Sequence, residues 1–177
     1  MERSATTEPD VQRRIGSEWW LFGGQYVGVA DRRNLAPLDQ HDIPLLTANR
    51  TVHVVELKGP NVPRLVEQHR NHPIPGAAVH EAVAQAMNYL RTLDEMGPAL
   101  STIYQDDLGI TYDLRRTFAT VVIGHPTHVR TGVDEQVVDR TLRSYNAHLA
   151  RVEVMTYKQL LDAAERMLLI EQSSRAL

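Results

Sequence analysis

Apolar and polar positions change period several times along the 177-residue chain, and each change marks an element. Val79, Val83, Ala86, Leu90 and Leu93 recur at four-three-four-three spacing, which draws one apolar stripe along a helix over 77–95. Gly97-Pro98 is expected to stop that helix. Residues 51–58 (TVHVVELK) read as a strand ended by Gly59-Pro60. The continuous apolar run 118–124 (FATVVIG) suits a central strand covered on both faces, with His125-Pro126 ending it. A short strand is predicted over 152–155 and helices over 134–148 and 157–170, the last capped by Thr156.

The remaining segments are less periodic. Residues 11–17 read as a short helix. Residues 18–22 and 25–31 read as two strands joined by a Gly23-Gly24 hairpin turn. Residues 32–50, with Pro37, Pro44 and several Asp, read as a loop, and 61–76, with Pro63, Pro73 and Pro75, holds a short helix over 65–70. Residues 99–116 are mixed, with Asp106-Asp107 in a loop. The order β, β, β, α, β, α, β, α predicts an α/β fold with a central mixed sheet flanked by helices. No repeat or linker divides the chain, so 1–177 is expected to be one domain with its core over about 11–170 and a flexible start at 1–10.

Composition narrows the chemistry. There is no Cys, which removes disulfides, thiolate zinc sites and Cys nucleophiles. No apolar run approaches the length of a membrane span, and the start Met1-Glu2-Arg3-Ser4 lacks a signal-peptide pattern, so a cytoplasmic protein outside the membrane is expected. The net charge of −3 argues against a general nucleic-acid coat but leaves room for a local basic cleft. Seventeen of the 19 basic residues are Arg; the two lysines are Lys58 and Lys158. A lysine kept in so arginine-rich a chain is informative, because ammonium is a compact point charge.

Alternation along 51–58 puts Val52, Val54, Glu56 and Lys58 on one face of the strand and His53, Val55 and Leu57 on the other. An acid and a base thus share the apolar face at the strand's C-terminal end, a common place for sites in α/β sheets. Such a pair also serves as a simple salt bridge, but partial burial calls for a partner such as a metal or a phosphate. Asp31 ends the apolar stretch 26–30 and offers a second carboxylate; it equally reads as a turn-starting Asp. Two carboxylates suit Mg2+ or Mn2+. On the helix, Gln85 and Tyr89 lie four apart on one flank of the apolar stripe, with Glu81 one turn back.

Asp31, then Glu56-Leu57-Lys58, then Gln85-x-x-x-Tyr89 resembles the PD-(D/E)XK nuclease superfamily with the Q-x-x-x-Y extension of RecB-like members. More narrowly, VHVVELKGPN, EAVAQAMNYL, ATVVIGHP and VEVMTYKQLL are similar to the nuclease domain of the Shedu anti-phage defence family, over most of 18–170. The resemblance implies a restriction-endonuclease-like core and a divalent-metal-dependent DNA endonuclease hydrolysing phosphodiester bonds. It implies Asp31, Glu56 and the Leu57 backbone carbonyl as metal ligands for Mg2+ or Mn2+, Lys58 as the catalytic lysine and Gln85 as a positioning group, with Tyr89 in support. DNA is the implied partner, together with a homo-oligomer and a separate sensor or regulatory domain or protein. A catalytically silent module of the same fold, binding DNA or partner proteins, is the alternative. The pattern departs from the superfamily in two places. The first-helix acid has only Glu8 or Glu18 as stand-ins, and the 25-residue step from Asp31 to Glu56 admits Asp39 or Asp42 in place of Asp31.

Other polar groups complete the expectation. His125 and His128 read as loop histidines after the central strand, with His125 also placed to line the cleft because its strand ends near the same edge. His80 reads either as a phosphate contact or as a solvated first-turn residue. Arg32-Arg33 and Arg115-Arg116, near strand ends, read as phosphate contacts or as solvated surface. Trp19-Trp20 are expected in the core or at an oligomer interface, and Leu160, Leu161, Ala164 and Leu168 form an apolar helix face open to oligomerisation.

Overall fold

The computed structural model describes Ile15 and residues 18–30, 43–130 and 133–175. The predicted helix over 11–17 falls outside the described residues apart from Ile15, as do Asp31, Arg32, Arg33, Asp39, Asp42 and Glu8.

Five strands form the central sheet in the order β1-β2-β3-β6-β7, where β1 is Tyr26–Val29, β2 Ile43–Thr47, β3 Thr51–Leu57, β6 Asp113–Val122 and β7 Val152–Met155. β1, β2 and β3 pair antiparallel, while β3, β6 and β7 pair parallel, so the sheet is mixed as expected. The parallel pairings need crossovers, supplied by α1 (Ala77–Leu108) and α2 (Glu135–Asn146). These helices cover one face, where Val52, Val54, Ala119, Val121, Val152 and Val154 pack against the apolar stripe of α1 and against Val138 and Leu142 of α2. The other face buries Leu45, Val55, Leu57 and Val122 under Tyr157 and Leu160 of α3 (Tyr157–Arg175), with Trp19 and Phe22 at its border.

Several elements differ from expectation. Trp19–Phe22 is a short 3-10 turn, not a strand, so no hairpin forms at Gly23-Gly24. The turn closes through Leu21 N–H to Glu18 O and Gly23 N–H to Trp20 O, and its aromatics pack under α3 where a strand would have met the sheet edge. Residues 43–47, read as loop because of Pro44, form the interior strand β2. Pro44 is tolerated because it stands near the strand's start, and the ladder to β1 begins at its carbonyl, which accepts from Ala30 N–H.

The helix expected over 65–70 is instead a hairpin of β4 (Val66–His69) and β5 (His72–Pro75). Its two-residue turn holds Arg70 at φ 53°, and Pro73 and Pro75 alternate along β5 at non-hydrogen-bonded positions. α1 runs straight through Gly97-Pro98, which was expected to end it, and places Asp106-Asp107 in its last turn. The lack of a side chain at Gly97 lets the helix lie against β6: a Cβ there would sit 3.1 Å from Leu114 Cβ and 3.2 Å from Leu114 O. That packing outweighs the lost proline hydrogen bond. The end comes at Gly109, in the left-handed conformation at φ 65°. β6 begins five residues before the predicted run. Its extra residues 114–117 bulge opposite Val52 alone, with Arg116 at φ 51°.

α2 and α3 start as expected. Asp134 caps α2 by accepting from Val137 N–H. Thr156 and Gln159 form a reciprocal cap, with Thr156 Oγ1 accepting from Gln159 N–H and Gln159 Oε1 from Thr156 N–H. The expected apolar face of α3 divides: Leu160 and Ala164 are buried, Leu161 and Leu168 exposed. No described helix is long and apolar enough to cross a membrane.

Candidate active site

β3 delivers Glu56 and Lys58 to the C-terminal edge of the parallel strands. Val52 and Val54 on the same face enter the core under α1, and that fixes the pleat, so Glu56 follows them inward. Its residue exposure is 1%, which makes it the one buried carboxylate among the described residues. Lys58 Nζ lies 2.6 Å from Glu56 Oε1, and its side chain is 27% exposed, so the pair reaches from the core to the surface. A carboxylate this deeply buried stays charged only with a close partner.

The helix completes the arrangement. α1 runs antiparallel to β3 and brings Gln85 over the strand end, where Gln85 Oε1 accepts from Lys58 Nζ at 3.0 Å. That bond sets the amide: its oxygen faces the ammonium, and its nitrogen donates to Tyr89 Oη at 2.5 Å. Glu56, Lys58, Gln85 and Tyr89 thus form one polar chain from a buried acid to a buried phenol. Glu81, one turn ahead on α1, is exposed.

The edge is also built from the β6 side. Lys58 N–H donates to Val122 O at 2.8 Å, and Gly124 N–H donates to Gly59 O at 3.1 Å. Gly124 stands at φ 69°, and an added Cβ would meet Leu65 Cδ1 at 2.9 Å, so a larger residue there would be strained and would press on the buried Leu65. His125 follows it at the same edge. Its Nδ1 accepts from Thr127 N–H and lies 2.8 Å from Thr127 Oγ1, and burial first, then the neighbouring His128 and Lys158 charges, lowers its pKa below the usual value.

Other candidates lie elsewhere. Arg115 is bound to Asp113 at the opposite end of β6, so Arg115-Arg116 do not join the Glu56–Lys58 edge. His80 is exposed in the first turn of α1, and its Nδ1 lies 3.1 Å from Tyr145 Oη on α2. Glu18 accepts from Trp20 Nε1 at 2.6 Å. Sequence reasoning overlooked Tyr157, whose hydroxyl donates to Lys58 O at 2.6 Å. The available signal was its place one residue after a capping Thr and two after a strand, which puts it at the sheet edge.

A model of the Shedu protein SduA C-terminal region matches residues 5–161. The chain belongs to the Shedu SduA C-terminal family. The Shedu match covers β1 to β7, the whole Glu56–Lys58–Gln85–Tyr89 chain and the first turn of α3. No curated protein matches the chain.

The donor set at the edge suits a hard divalent cation: a carboxylate from Glu56 and, by backbone alternation, a Leu57 carbonyl on the side of β3 away from β6. Among the described residues no cluster of three acidic or histidine side chains could hold a metal. On the described side of Asp31, Ala30 N–H bonds to Pro44 O, and Pro44 pairs with Val54, two residues before Glu56.

Proposed function

We propose that the chain is a divalent-metal-dependent DNA endonuclease of the PD-(D/E)XK type, acting as an effector in anti-phage defence. The observation that carries this reading is the buried Glu56 held at 2.6 Å by Lys58, which is held in turn by Gln85 at the C-terminal sheet edge. Membership in a family associated with phage defence supports it, and a mixed central sheet flanked by helices is compatible with it.

In this reading Asp31, Glu56 and the Leu57 carbonyl hold Mg2+ or Mn2+. The bound ion supplies an acidified water and neutralises phosphate charge. Lys58 orients the attacking water and stabilises negative charge developing on the phosphate. Gln85 keeps the ammonium from collapsing onto Glu56 alone, and Tyr89 keeps the Gln85 amide in the orientation that accepts. His125 and Arg32 stand as phosphate contacts and Glu81 as a supporting group on the cleft side of α1. The exposed Leu161, Leu168, Leu169 and Ile170 of α3 are consistent with a homo-oligomer.

The test is incubation of the purified chain with supercoiled and linear DNA, with and without Mn2+, beside Lys58→Ala. Mn2+-stimulated nicking lost in Lys58→Ala is the expected result. Metal-independent DNA binding without nicking would replace this reading with a silent module of the same fold, and parental rates in Lys58→Ala would overturn the site.

A further inference from the structure

We infer that Tyr157 is a positioning residue for Lys58: its hydroxyl takes over the Lys58 carbonyl where β3 leaves its ladder with β6. This rests on the reading of Lys58 as the catalytic lysine.

The departure is visible in the hydrogen bonds. Leu57 pairs with Val122, and Lys58 N–H donates to Val122 O, so the parallel register places Lys58 opposite Ile123. A regular parallel ladder would then have Gly124 N–H donate to Lys58 O. Instead Gly124 N–H donates to Gly59 O, a slip of one residue at the position that carries the ammonium. The carbonyl released from the ladder is bound by the Tyr157 hydroxyl at 2.6 Å. Tyr157 N–H in turn donates to Gly124 O at 3.0 Å, so one residue grips both strands at the slip.

Tyr157 is itself held firmly. Its ring is buried in the second core beside Leu57 and Leu160. Its backbone begins α3 just after Thr156, where its N–H is anchored on Gly124 O rather than on the helix cap. Lys58 therefore leaves the sheet with its N–H bound by β6, its C=O by α3 and its ammonium by Glu56 and Gln85. Loss of the hydroxyl removes the bond that holds the Lys58 carbonyl out of the regular register. The long side chain amplifies a rotation of that peptide at Nζ, where displacement by about 1 Å is enough to cost ~100-fold in rate.

The experiment exploits the two lysines of the chain, Lys58 and Lys158. Protein labelled with 13C at lysine Cε shows one signal from each, and Lys158→Arg assigns them. In Tyr157→Phe the Lys58 signal is expected to shift by more than its linewidth at constant pH. Gln159→Ala, which breaks the Thr156–Gln159 helix cap but keeps the hydroxyl, is expected to leave it in place. With Mn2+ and DNA, kcat is expected to fall about 10- to 100-fold in Tyr157→Phe with KM within about twofold, and to stay within about twofold in Gln159→Ala. An unmoved Lys58 signal in Tyr157→Phe, or equal shifts in both variants, overturns the inference. So does a crystal structure of the unaltered chain with the Tyr157 hydroxyl bonded away from Lys58 O, which decides the matter even if Tyr157→Phe does not fold. Absence of nicking by the parent overturns the nuclease reading alone, since the lysine spectrum still reports the position of Lys58.

Discussion

The two ends of the β3–β6 strand pair hold charge in opposite ways. At the start of β6, Arg115 forks onto Asp113 with 3.0 Å contacts, and Arg151 braces Asp94 of α1 while also donating to Thr117 O. Hydrogen bonds from Arg115 and Arg151 hold the two carboxyls below the usual Asp range, yet both pairs stay open to water. At the strand ends, Glu56 and Lys58 meet at a similar distance with the acid fully buried. Geometry alone does not separate these pairs; burial does. Exposed pairs contribute little because water competes for both partners. A buried acid is costly unless its partner is well placed, and a fold keeps one at a sheet edge chiefly where the charge has work to do.

The comparison is tested most strongly by exchanging the charges. Glu56→Gln and Lys58→Met are each expected to lower DNA nicking by about 1,000-fold or more, whereas Arg115→Met should leave the rate within about twofold. A nicking time course on supercoiled DNA measures both, and comparable losses at the two ends would erase the distinction. Lys58→Met should also destabilise the fold by about 3 kcal/mol, because it strands the Glu56 carboxylate, as read by urea denaturation at pH 7.

Gln85→Met should come next, with kcat down about 100-fold while the fold is retained, and Tyr89→Phe should cost less than about tenfold, since the phenol acts on the ammonium only through Gln85. An effect of Tyr89→Phe larger than that of Gln85→Met would break the polar chain as drawn.

At the other end the test is pH. His53 lies beside Thr120 Oγ1 at 2.8 Å and edge-on to Tyr26, and burial lowers its pKa to about 4. The unfolded ring takes a proton near pH 6.5 and the folded ring does not. Stability from this site is therefore complete above about pH 6.5 and is lost as pH falls toward 4, by no more than about 3 kcal/mol. Denaturation midpoints between pH 7 and pH 4 should show that loss in the parent and a flatter profile in His53→Leu; parallel profiles would mean the ring is protonated when folded. Smallest of all, Arg151→Met should cost about 0.5–1 kcal/mol without affecting nicking.

How far the sequence was legible follows the kind of force at each position. β3, β6, β7, α2 and α3 were readable because apolar periodicity and caps such as Asp134 and Thr156 are local signals. Strand alternation and helical spacing each point a side chain, but the Lys58–Gln85 contact itself depended on how α1 packs over β3. Errors gathered where local signals were overruled. Gly97-Pro98 breaks an isolated helix, but packing of Gly97 on Leu114 carries α1 past it. Pro73 and Pro75 argue against a strand until it is an edge with alternate positions free, and Trp19 resembles a strand residue until α3 offers a core to turn into.

By itself the sequence determined which residues share a face: Glu56 and Lys58 with Val52 and Val54, and Gln85 with Tyr89. The period of a strand or helix is set by backbone geometry and needs no partner. Only the tertiary structure decided that Glu56 is buried, that Lys58 is bound by Gln85, and that Tyr157, 99 residues further on, claims the Lys58 carbonyl. Burial and hydrogen bonds between distant segments depend on how elements pack, and packing is a property of the assembled sheet and helices, not of any stretch of chain.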